Sequence, residues 1–250
     1  MADNRTLLYL SDNSLEPSIS DFCKRMLVRA AEGLPIVSVS QKPMDLGRNV
    51  CVGEIGRSWV SIYRQILAGL EVVDTEWVCL IEHDCLYTSE HLHYQPPDPM
   101  TFYYNANHWL LQWHGNHPEM EGMYSYWPRR VACSQLICTR ERLTASTSEI
   151  LDLIYAGLQL KGGFRWHGEP GTVDNKAYQA AVLAGSGSSA QWHRPLTEYL
   201  TKYRSEFFRT EQPNLDCRHG SNFSGPRRGK HRTFDLAPWG KFADLWESTA

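Results

Sequence analysis

The sequence lacks the features that would place it at once in several protein classes. It contains no run of about 18 apolar residues, so neither a membrane-spanning helix nor membrane insertion is expected. Its first residues, MADNRTLLYLSDN, lack the basic and then apolar layout of a signal peptide. The net charge of −3 argues against a general nucleic-acid coat, although it is compatible with a local basic patch.

Cysteine motifs are also missing. No C-x-x-C pair occurs among the 7 cysteines, so neither a zinc ribbon nor a thioredoxin motif is predicted. Several cysteines stand inside apolar runs such as VACSQLIC, which is typical of small buried side chains in a reducing compartment. What the chain does contain is a surplus of Trp, Tyr and His (9, 12 and 10 residues). Such side chains line sites for sugars or bases, and they also fill cores.

Strands and helices alternate over the first third of the sequence. Short apolar runs predict three strands, helical spacing of apolar residues predicts two helices, and Gly33 is expected to end the first helix. In chain order the predicted elements are strand 6–10, helix 18–32, strand 35–40, helix 57–73 and strand 77–81. This β-α-β-α-β order favours a parallel α/β sheet with helices on its faces.

The pattern changes in the rest of the chain. Residues 96–128 are rich in Pro, Asn, His and aromatic residues and have no clear period, so short strands and long functional loops are expected there. The elements predicted further along are strand 131–139, helix 142–160, helix 175–184, a loop-like stretch over 213–232 and helix 239–246.

Two acids follow the third predicted strand, in the triplet Glu82-His83-Asp84. If the strand conformation continues, Glu82 and Asp84 point to one side of the sheet and His83 points to the other. Two carboxylates so placed can hold a hard divalent cation between the protein and a diphosphate. The alternative is that both acids are ordinary polar residues of a loop.

Three segments, LLYLSDN, GRSWVSIYRQILAGL and WVCLIEHDCLY, resemble in order and spacing the donor-binding half of a GT-A type glycosyltransferase. In that family a first strand ends at the nucleotide base, a helix with an R…A-G-L pattern leads into a strand, and this strand ends in a D-x-D type motif. The resemblance covers roughly residues 6–92 and implies a GT-A-like, Rossmann-type, mostly parallel sheet flanked by helices. It also implies one domain over residues 1–250, with a donor half (1–95) and a loop-rich acceptor half (96–250).

The resemblance implies a set of donor and metal contacts. Asp84 is the favoured metal ligand, and Glu82 stands where the family has Asp, so it is assigned to the metal or the ribose. Ser11 and Asp12 are candidates for the base or ribose. Arg57 and Arg64 share a helix face and are candidates for the diphosphate, with Arg57 favoured because it opens the helix; either can instead be a solvated helix arginine.

The segment Asp216-Cys217-Arg218-His219-Gly220-Ser221-Asn222 resembles a C-terminal element of the same family. It implies that His219 completes the metal or diphosphate site and that Arg218 contacts phosphate, whereas the alternative for His219 is a surface turn. Glu169 is the candidate base for the acceptor hydroxyl, with Asp174 as the alternative, unless Asp174 caps a following helix. A retaining enzyme requires no such base.

Aromatic and basic residues of the second half are candidates for the acceptor surface, since rings stack on sugars and bases and cations contact phosphates. These are Trp109, Trp113, His114, Trp166, Arg227 and Arg228. Small viral enzymes that glycosylate hydroxymethylated pyrimidines in DNA match this combination by analogy. The acidic overall balance slightly favours a saccharide acceptor instead.

The combined expectation is a metal-dependent transferase that uses Mn²⁺ or Mg²⁺ and a nucleotide-diphosphate sugar, a UDP-sugar for preference. A cytoplasmic location is expected, in the host cytoplasm if the protein is viral. Alternatives are a protein acceptor, a nucleotide-sugar binding protein without transfer activity, and a nucleotidyltransferase. The last should carry a Gly-rich, Arg/Lys-bearing loop after the first strand, and SDNSLEPS is a poor match to that loop.

Overall fold

A computed structural model of the chain describes residues 4–113, 118–127, 131–158, 169–172, 198–199, 202–220, 222 and 230–247. The helices and strands, in chain order, are β1 (Arg5–Ser11), α1 (Pro17–Ala31), β2 (Ile36–Ser40), β3 (Arg48–Cys51), α2 (Trp59–Leu70), β4 (Trp77–Glu82), β5 (Cys85–Leu86), α3 (Ser89–Leu92), β6 (Thr101–Asn105), β7 (His108–Gln112), β8 (Tyr124–Tyr126), β9 (Leu136–Thr139), α4 (Arg140–Leu153), β10 (Arg204–Phe208), β11 (Asn214–Arg218), β12 (Lys230–Thr233), β13 (Asp235–Leu236), β14 (Gly240–Lys241) and α5 (Phe242–Glu247).

The main sheet has seven strands in the order β10-β6-β9-β4-β1-β2-β3. All of them run in one direction except β9, which is antiparallel to both of its neighbours. Every residue of β1 is buried, as expected for a strand covered on both faces. The predicted α/β fold with a mostly parallel, helix-flanked sheet is therefore confirmed.

The helices form where the apolar spacing predicts them, and local signals set their ends. Helix α1 has a proline in its first turn and ends just before Gly33, whose φ of +92° an L side chain rarely adopts. Helix α2 begins at the cap residue Ser58, whose side chain accepts a hydrogen bond from the backbone of Ser61. It starts and ends two to three residues inside the predicted range of 57–73.

Helices cover both faces of the main sheet. Helix α1 packs on the face that carries Leu7 and Tyr9, whereas α2 and α4 pack on the face that carries Leu8 and Leu10. Helix α1 also contacts the second sheet through Phe22 and its neighbours. Among the described residues, no helix has both the length and the apolar character needed to span a membrane.

The second sheet has the strand order β12-β8-β7-β11-β5. The sequence predicts residues 213–232 as loop-like, and that prediction is wrong for β11 and for the first residues of β12. In β11 the apolar side chains alternate with Asp216 and Arg218, which face a cleft, so the strand has too little apolar character to be recognised. Strand β3 also lies outside the predicted elements.

The later helices are partly as predicted. The expected helix over 142–160 is α4, which begins two residues earlier and continues into a π-helical turn (Ile154–Leu158). The expected terminal helix over 239–246 is α5. The helix predicted over 175–184 lies outside the described residues.

Candidate functional site

An open cleft lies at the carboxyl ends of the parallel strands β1, β2 and β4. This is where ligands bind in open α/β sheets. Strand β11 of the second sheet also contributes residues to its lining. The predicted site residues that line the cleft are Ser11, Asp12, Arg57, Glu82, Asp84, Glu169, Arg218 and His219.

The two acids of the Glu82-His83-Asp84 triplet lie close together. One carboxylate oxygen of each acid and the Cys85 sulfur lie within 4.8 Å of one another, so this group is a candidate cation site. The expectation that His83 points the other way is wrong, since His83 also lines the cleft. Strand β4 ends at Glu82 and the chain turns at residues 83–84, so the strand alternation no longer applies there.

Asp84 is held by the end of β11 and the residues that follow it. Its Oδ2 lies 3.4 Å from Nε2 of His219 and accepts a hydrogen bond of 2.9 Å from Nδ2 of Asn222. Burial opposes the negative charge of Asp84, but the hydrogen bond with His219 and the charges of His83, His219 and Arg218 outweigh it and lower the pKa of this carboxyl group. Asp84 is therefore an anion with an imidazole beside it.

Asp12 is the centre of a second polar group at the end of β1. It pairs with Arg57, and its Oδ1 accepts two hydrogen bonds from Ser14 and lies 3.7 Å from Nδ1 of His83. The same His83 nitrogen is 3.0 Å from Oγ of Ser11. Burial opposes the charge of Asp12, yet the bonds from Ser14 and the charges of His83 and Arg57 lower the pKa of its carboxyl group.

The two predicted helix arginines lie in different places. Arg57 lines the cleft, directly before the cap residue of α2. Arg64 is not among the residues that line it. Its Nε donates a hydrogen bond of 2.9 Å to the hydroxyl of Tyr155, and its guanidinium lies 5.8 Å from the centre of that ring. The geometry therefore favours Arg57 over Arg64 as a contact of any bound donor.

Arg218 and Asp216 lie on the same face of β11 and both line the cleft. They form an ion pair with an Nη1–Oδ1 distance of 3.2 Å, and the Arg218 side chain is only 6% exposed. The sequence interpretation singled out Arg218 but not Asp216. Their spacing of two residues in a strand is the signal that would have placed them together.

Glu169 lies in a short turn that other elements hold in place. Its residue is only 3% exposed and lines the cleft. The hydroxyl of Tyr104 donates to the Pro170 carbonyl, and the Gly171 N–H donates to the hydroxyl of Tyr199. The alternative base, Asp174, lies outside the described residues.

One residue predicted for the acceptor surface lies in the core instead, and several others lie outside the described residues. Trp113 is 1% exposed and packs in the core, with its ring centre 5.1 Å from that of Phe22, so the expectation that it faces an acceptor is wrong. Trp109 pairs in register with Leu215 and packs on the same core, on the sheet face opposite Asp216. His114, Trp166, Arg227 and Arg228 lie outside the described residues.

Other cleft residues gave no signal in the sequence. Gln65 is buried, and its amide nitrogen donates to the carbonyls of Ser11 and Val39, at the ends of β1 and β2. Gln41 joins the same region to the loop before α2 through the Gly56 carbonyl. Lone amide residues of this kind have no motif, so only the three-dimensional structure identifies them.

Fold and site together define a mostly parallel α/β protein with an acidic ligand cleft at the strand ends. Its structure is similar to that of a glycosyltransferase involved in the glycosylation of the major capsid of PBCV-1, with 11% identity and a TM-score of 0.39 over 82% of this chain and 81% of that chain. It is also similar to a mutant of the Drosophila β1,4-galactosyltransferase 7 in complex with manganese, UDP-Gal and xylobiose, with 12% identity and a TM-score of 0.33 over 76% and 79%.

A third similar structure is the bifunctional IspDF from Campylobacter jejuni, with 9% identity and a TM-score of 0.34 over 84% of this chain. This chain spans 50% of that protein's length. No protein-family model and no curated protein matches the sequence. At such low identities and TM-scores the likenesses carry no functional argument, which must come from the site itself.

Proposed function

We propose that the protein is a metal-dependent glycosyltransferase that moves a sugar from a nucleotide-diphosphate sugar to a hydroxyl acceptor. The observation that carries the proposal is one cleft lined by the acids Glu82 and Asp84, the imidazole of His219 and the guanidinium of Arg218. Acids can hold a cation that binds a diphosphate, and basic side chains can bind its phosphates directly.

The residues present fit a divalent cation. Glu82 and Asp84 offer carboxylate oxygens, which suit Mn²⁺ or Mg²⁺, and His219 beside Asp84 is proposed to complete the metal or diphosphate site. When bound, the cation neutralises the charge that develops on the leaving diphosphate. Arg218 and Arg57 are assigned to the phosphates, and Ser11 and Asp12 to the base or ribose.

Glu169 is the proposed base, because it is a buried carboxylate in the same cleft. In the proposed reaction the acceptor oxygen forms a bond to the anomeric carbon while the bond from that carbon to the phosphate oxygen breaks. The acceptor proton passes to Glu169, and the nucleoside diphosphate leaves. Asp174 is the alternative base.

The donor nucleotide is proposed to be uridine diphosphate, and the acceptor a saccharide or a 5-hydroxymethylpyrimidine in DNA. The described residue that most favours a polyanionic acceptor is Arg232, which is exposed on β12 with Lys230. Arg227 and Arg228 precede this strand in the sequence. The overall negative charge of the chain favours the saccharide.

The proposal is tested by incubating the protein with a panel of nucleotide sugars and Mn²⁺, with and without hydroxymethylated DNA, and measuring nucleotide release and sugar transfer. Transfer is expected with one donor, is expected to stop with a chelator, and is expected to return with added Mn²⁺. Asp84→Asn and Glu169→Gln should each lower kcat at least one-hundred-fold, as removal of a charge-stabilising or proton-accepting group usually does.

The two arginines provide a matched pair for donor binding. Arg57→Ala should weaken UDP binding about ten-fold or more, because a charge-assisted hydrogen bond contributes about 1.5–3 kcal/mol. Arg64→Ala changes a residue outside the cleft, so it should leave the affinity for UDP within two-fold of that of the unaltered protein.

Full transfer by both carboxylate variants, or unchanged turnover in chelator, would contradict the proposal. Tight donor binding without transfer would indicate a non-catalytic binding protein.

A further inference from the structure

Asn222 follows β11 and makes several contacts beside the acid pair. Its Oδ1 accepts a hydrogen bond of 2.6 Å from the backbone N–H of His219. Its Nδ2 donates to Oδ2 of Asp84 at 2.9 Å and to the Cys217 carbonyl at 3.3 Å. The same nitrogen lies 3.0 Å from Nε2 of His219. One amide therefore contacts both Asp84 and His219.

Asp84 and His219 come from distant parts of the sequence, the turn after β4 and the end of β11. Their facing atoms, Oδ2 and Nε2, are 3.4 Å apart. The amide nitrogen of Asn222 is a donor, so its contact with Nε2 uses the single lone pair of that nitrogen. The Asp84 carboxylate, in contrast, keeps oxygen lone pairs that can bind a cation.

The backbone already joins these two segments without Asn222. The N–H of Cys217 donates to the carbonyl of Asp84 at 2.8 Å, and Asp216 pairs with Cys85 in the second sheet. These bonds hold the chain segments together, but they do not orient the Asp84 carboxylate. Among the described contacts of that carboxylate, the hydrogen bond from Asn222 is the short one that fixes Oδ2.

We propose that Asn222 is a positioning residue that orients the Asp84 carboxylate so that it can bind a divalent cation together with Glu82. The inference rests on the proposed metal-dependent function. It assigns to Asn222 no contact with the cation itself. Partners of this kind orient metal ligands, and their removal typically weakens metal binding about 10–100-fold.

The test is a titration of the 250-residue chain with Mn²⁺ in the absence of nucleotide, in which the electron paramagnetic resonance signal of free Mn²⁺ is measured. Asn222→Ala should bind Mn²⁺ about 10–100-fold more weakly than the unaltered protein. Asn49→Ala is the matched control, because Asn49 also makes several hydrogen bonds, but to residues of β2 and to Met44. It should leave Mn²⁺ affinity within two-fold.

Asn222→Ser provides a second variant if Asn222→Ala does not fold, since the short hydroxyl group cannot span the distance to Asp84. Equal Mn²⁺ affinity in the unaltered protein and in a folded Asn222 variant would overturn the role of Asn222 and leave the proposed function standing. An equal loss in Asn49→Ala would also overturn it, by showing a general effect of destabilisation. Absence of Mn²⁺ binding by the unaltered protein would instead contradict the metal-dependent function.

Discussion

His91 is a fully buried imidazole outside the cleft. Its Nε2 lies 3.4 Å from the sulfur of Cys79, and its Nδ1 lies 3.3 Å from the amide nitrogen of Asn105. Burial disfavours the charged form, and the positive charges of Arg5 and His108 add to this effect, so the pKa of His91 is lowered from 6.5 to about 3. His91 is therefore neutral in the folded protein over the physiological range.

This pKa predicts a loss of stability in acid. Between pH 6.5 and pH 3 the unfolded chain binds a proton at His91 and the folded protein does not, so the free energy of unfolding falls as the pH falls. From pH 7 to pH 5 the contribution of this one residue is a loss of about 2 kcal/mol. The measurement is urea unfolding at both pH values, for the unaltered protein and for His91→Gln.

The pH dependence should be smaller in His91→Gln by about that amount, because glutamine does not titrate. Every other titratable group is the same in the two proteins, so the difference between their pH dependences isolates His91. Equal pH dependence in the two proteins would show that His91 can be protonated in the folded state.

At the scale of single residues, the sequence predicted best where a pattern stayed within one element. Glu82 is the last residue of β4, and Asp84 lies close to it as expected. His83 also lines the cleft, because the chain turns directly after β4. The aromatic stretch around Trp113 predicts an acceptor surface, yet this residue directly follows β7 and its ring is buried in the core. Composition alone does not distinguish a ring that packs from a ring that binds.

At the scale of elements, Gly69 sets how closely α2 approaches the main sheet. A Cβ added at Gly69 would lie 2.4 Å from Cδ1 of Leu8 and 2.7 Å from Cγ2 of Val39. Those side chains belong to β1 and β2, whose ends line the cleft. The A-G-L pattern in the sequence therefore has a packing reason in this protein, independent of any family resemblance.

Two effects of a Gly69→Ala change oppose each other. Alanine is favoured over glycine in a helix interior by about 1 kcal/mol, whereas forcing an extra methyl group into a packed core typically costs about 1–3 kcal/mol. Because the closest approach is far below normal contact, we expect the packing cost to be larger. Gly69→Ala should lower both the free energy of unfolding and the affinity for nucleotide, since α2 carries Ser61 and Gln65 into the cleft.

Val28→Ala is the control for Gly69→Ala, because Val28 is 54% exposed on α1 and its change alters helix propensity without altering packing. Its free energy of unfolding should be unchanged or slightly raised. A stabilised Gly69→Ala protein would show that α2 can move away from the sheet without loss.

Apolar periodicity explains which elements were predictable. Strand β4 and helix α2 have strong apolar patterns and were predicted close to their observed bounds. Strand β11 was missed because its polar residues are buried or face the cleft. Asn214, for example, is fully buried and donates to Gln135 while accepting from the backbone of Thr88. A strand whose polar residues form hydrogen bonds inside the fold has the amino-acid composition of a loop, so its sequence does not reveal it as a strand.

At the scale of the whole molecule, the cleft is built from both sheets. Ser11, Asp12 and Glu82 come from the strand ends of the main sheet, whereas Asp216 and Arg218 come from β11. The predicted boundary between the donor half and the acceptor half, at residue 95, is not a boundary between the two sheets. Strands β6, β9 and β10 of the second half belong to the main sheet together with β1, β2, β3 and β4. A ligand that contacts residues of both sheets in the cleft must therefore stabilise both sheets at once.

Together with the proposed function, this arrangement predicts that UDP and Mn²⁺ stabilise the protein together more than the sum of their separate effects. A ligand at one hundred times its Kd adds about 2.7 kcal/mol to the free energy of unfolding. For a chain of 250 residues this corresponds to a rise in Tm of roughly 5–10 °C. The measurement is thermal unfolding with UDP alone, Mn²⁺ alone and both.

The stabilisation by both ligands beyond the sum of their separate effects depends on which cleft residues each ligand contacts. In the proposed site, UDP without a cation would have its diphosphate facing the acids Glu82 and Asp84, which would repel it, so the Tm rise with UDP alone should be small. Arg218→Ala should reduce the rise with both ligands, because β11 would then lose the phosphate contact proposed for it, while Arg64→Ala should not. If UDP raises Tm equally with Mn²⁺ and with chelator, the nucleotide does not bind against the acid pair, and the cleft is used in a different way from the one proposed.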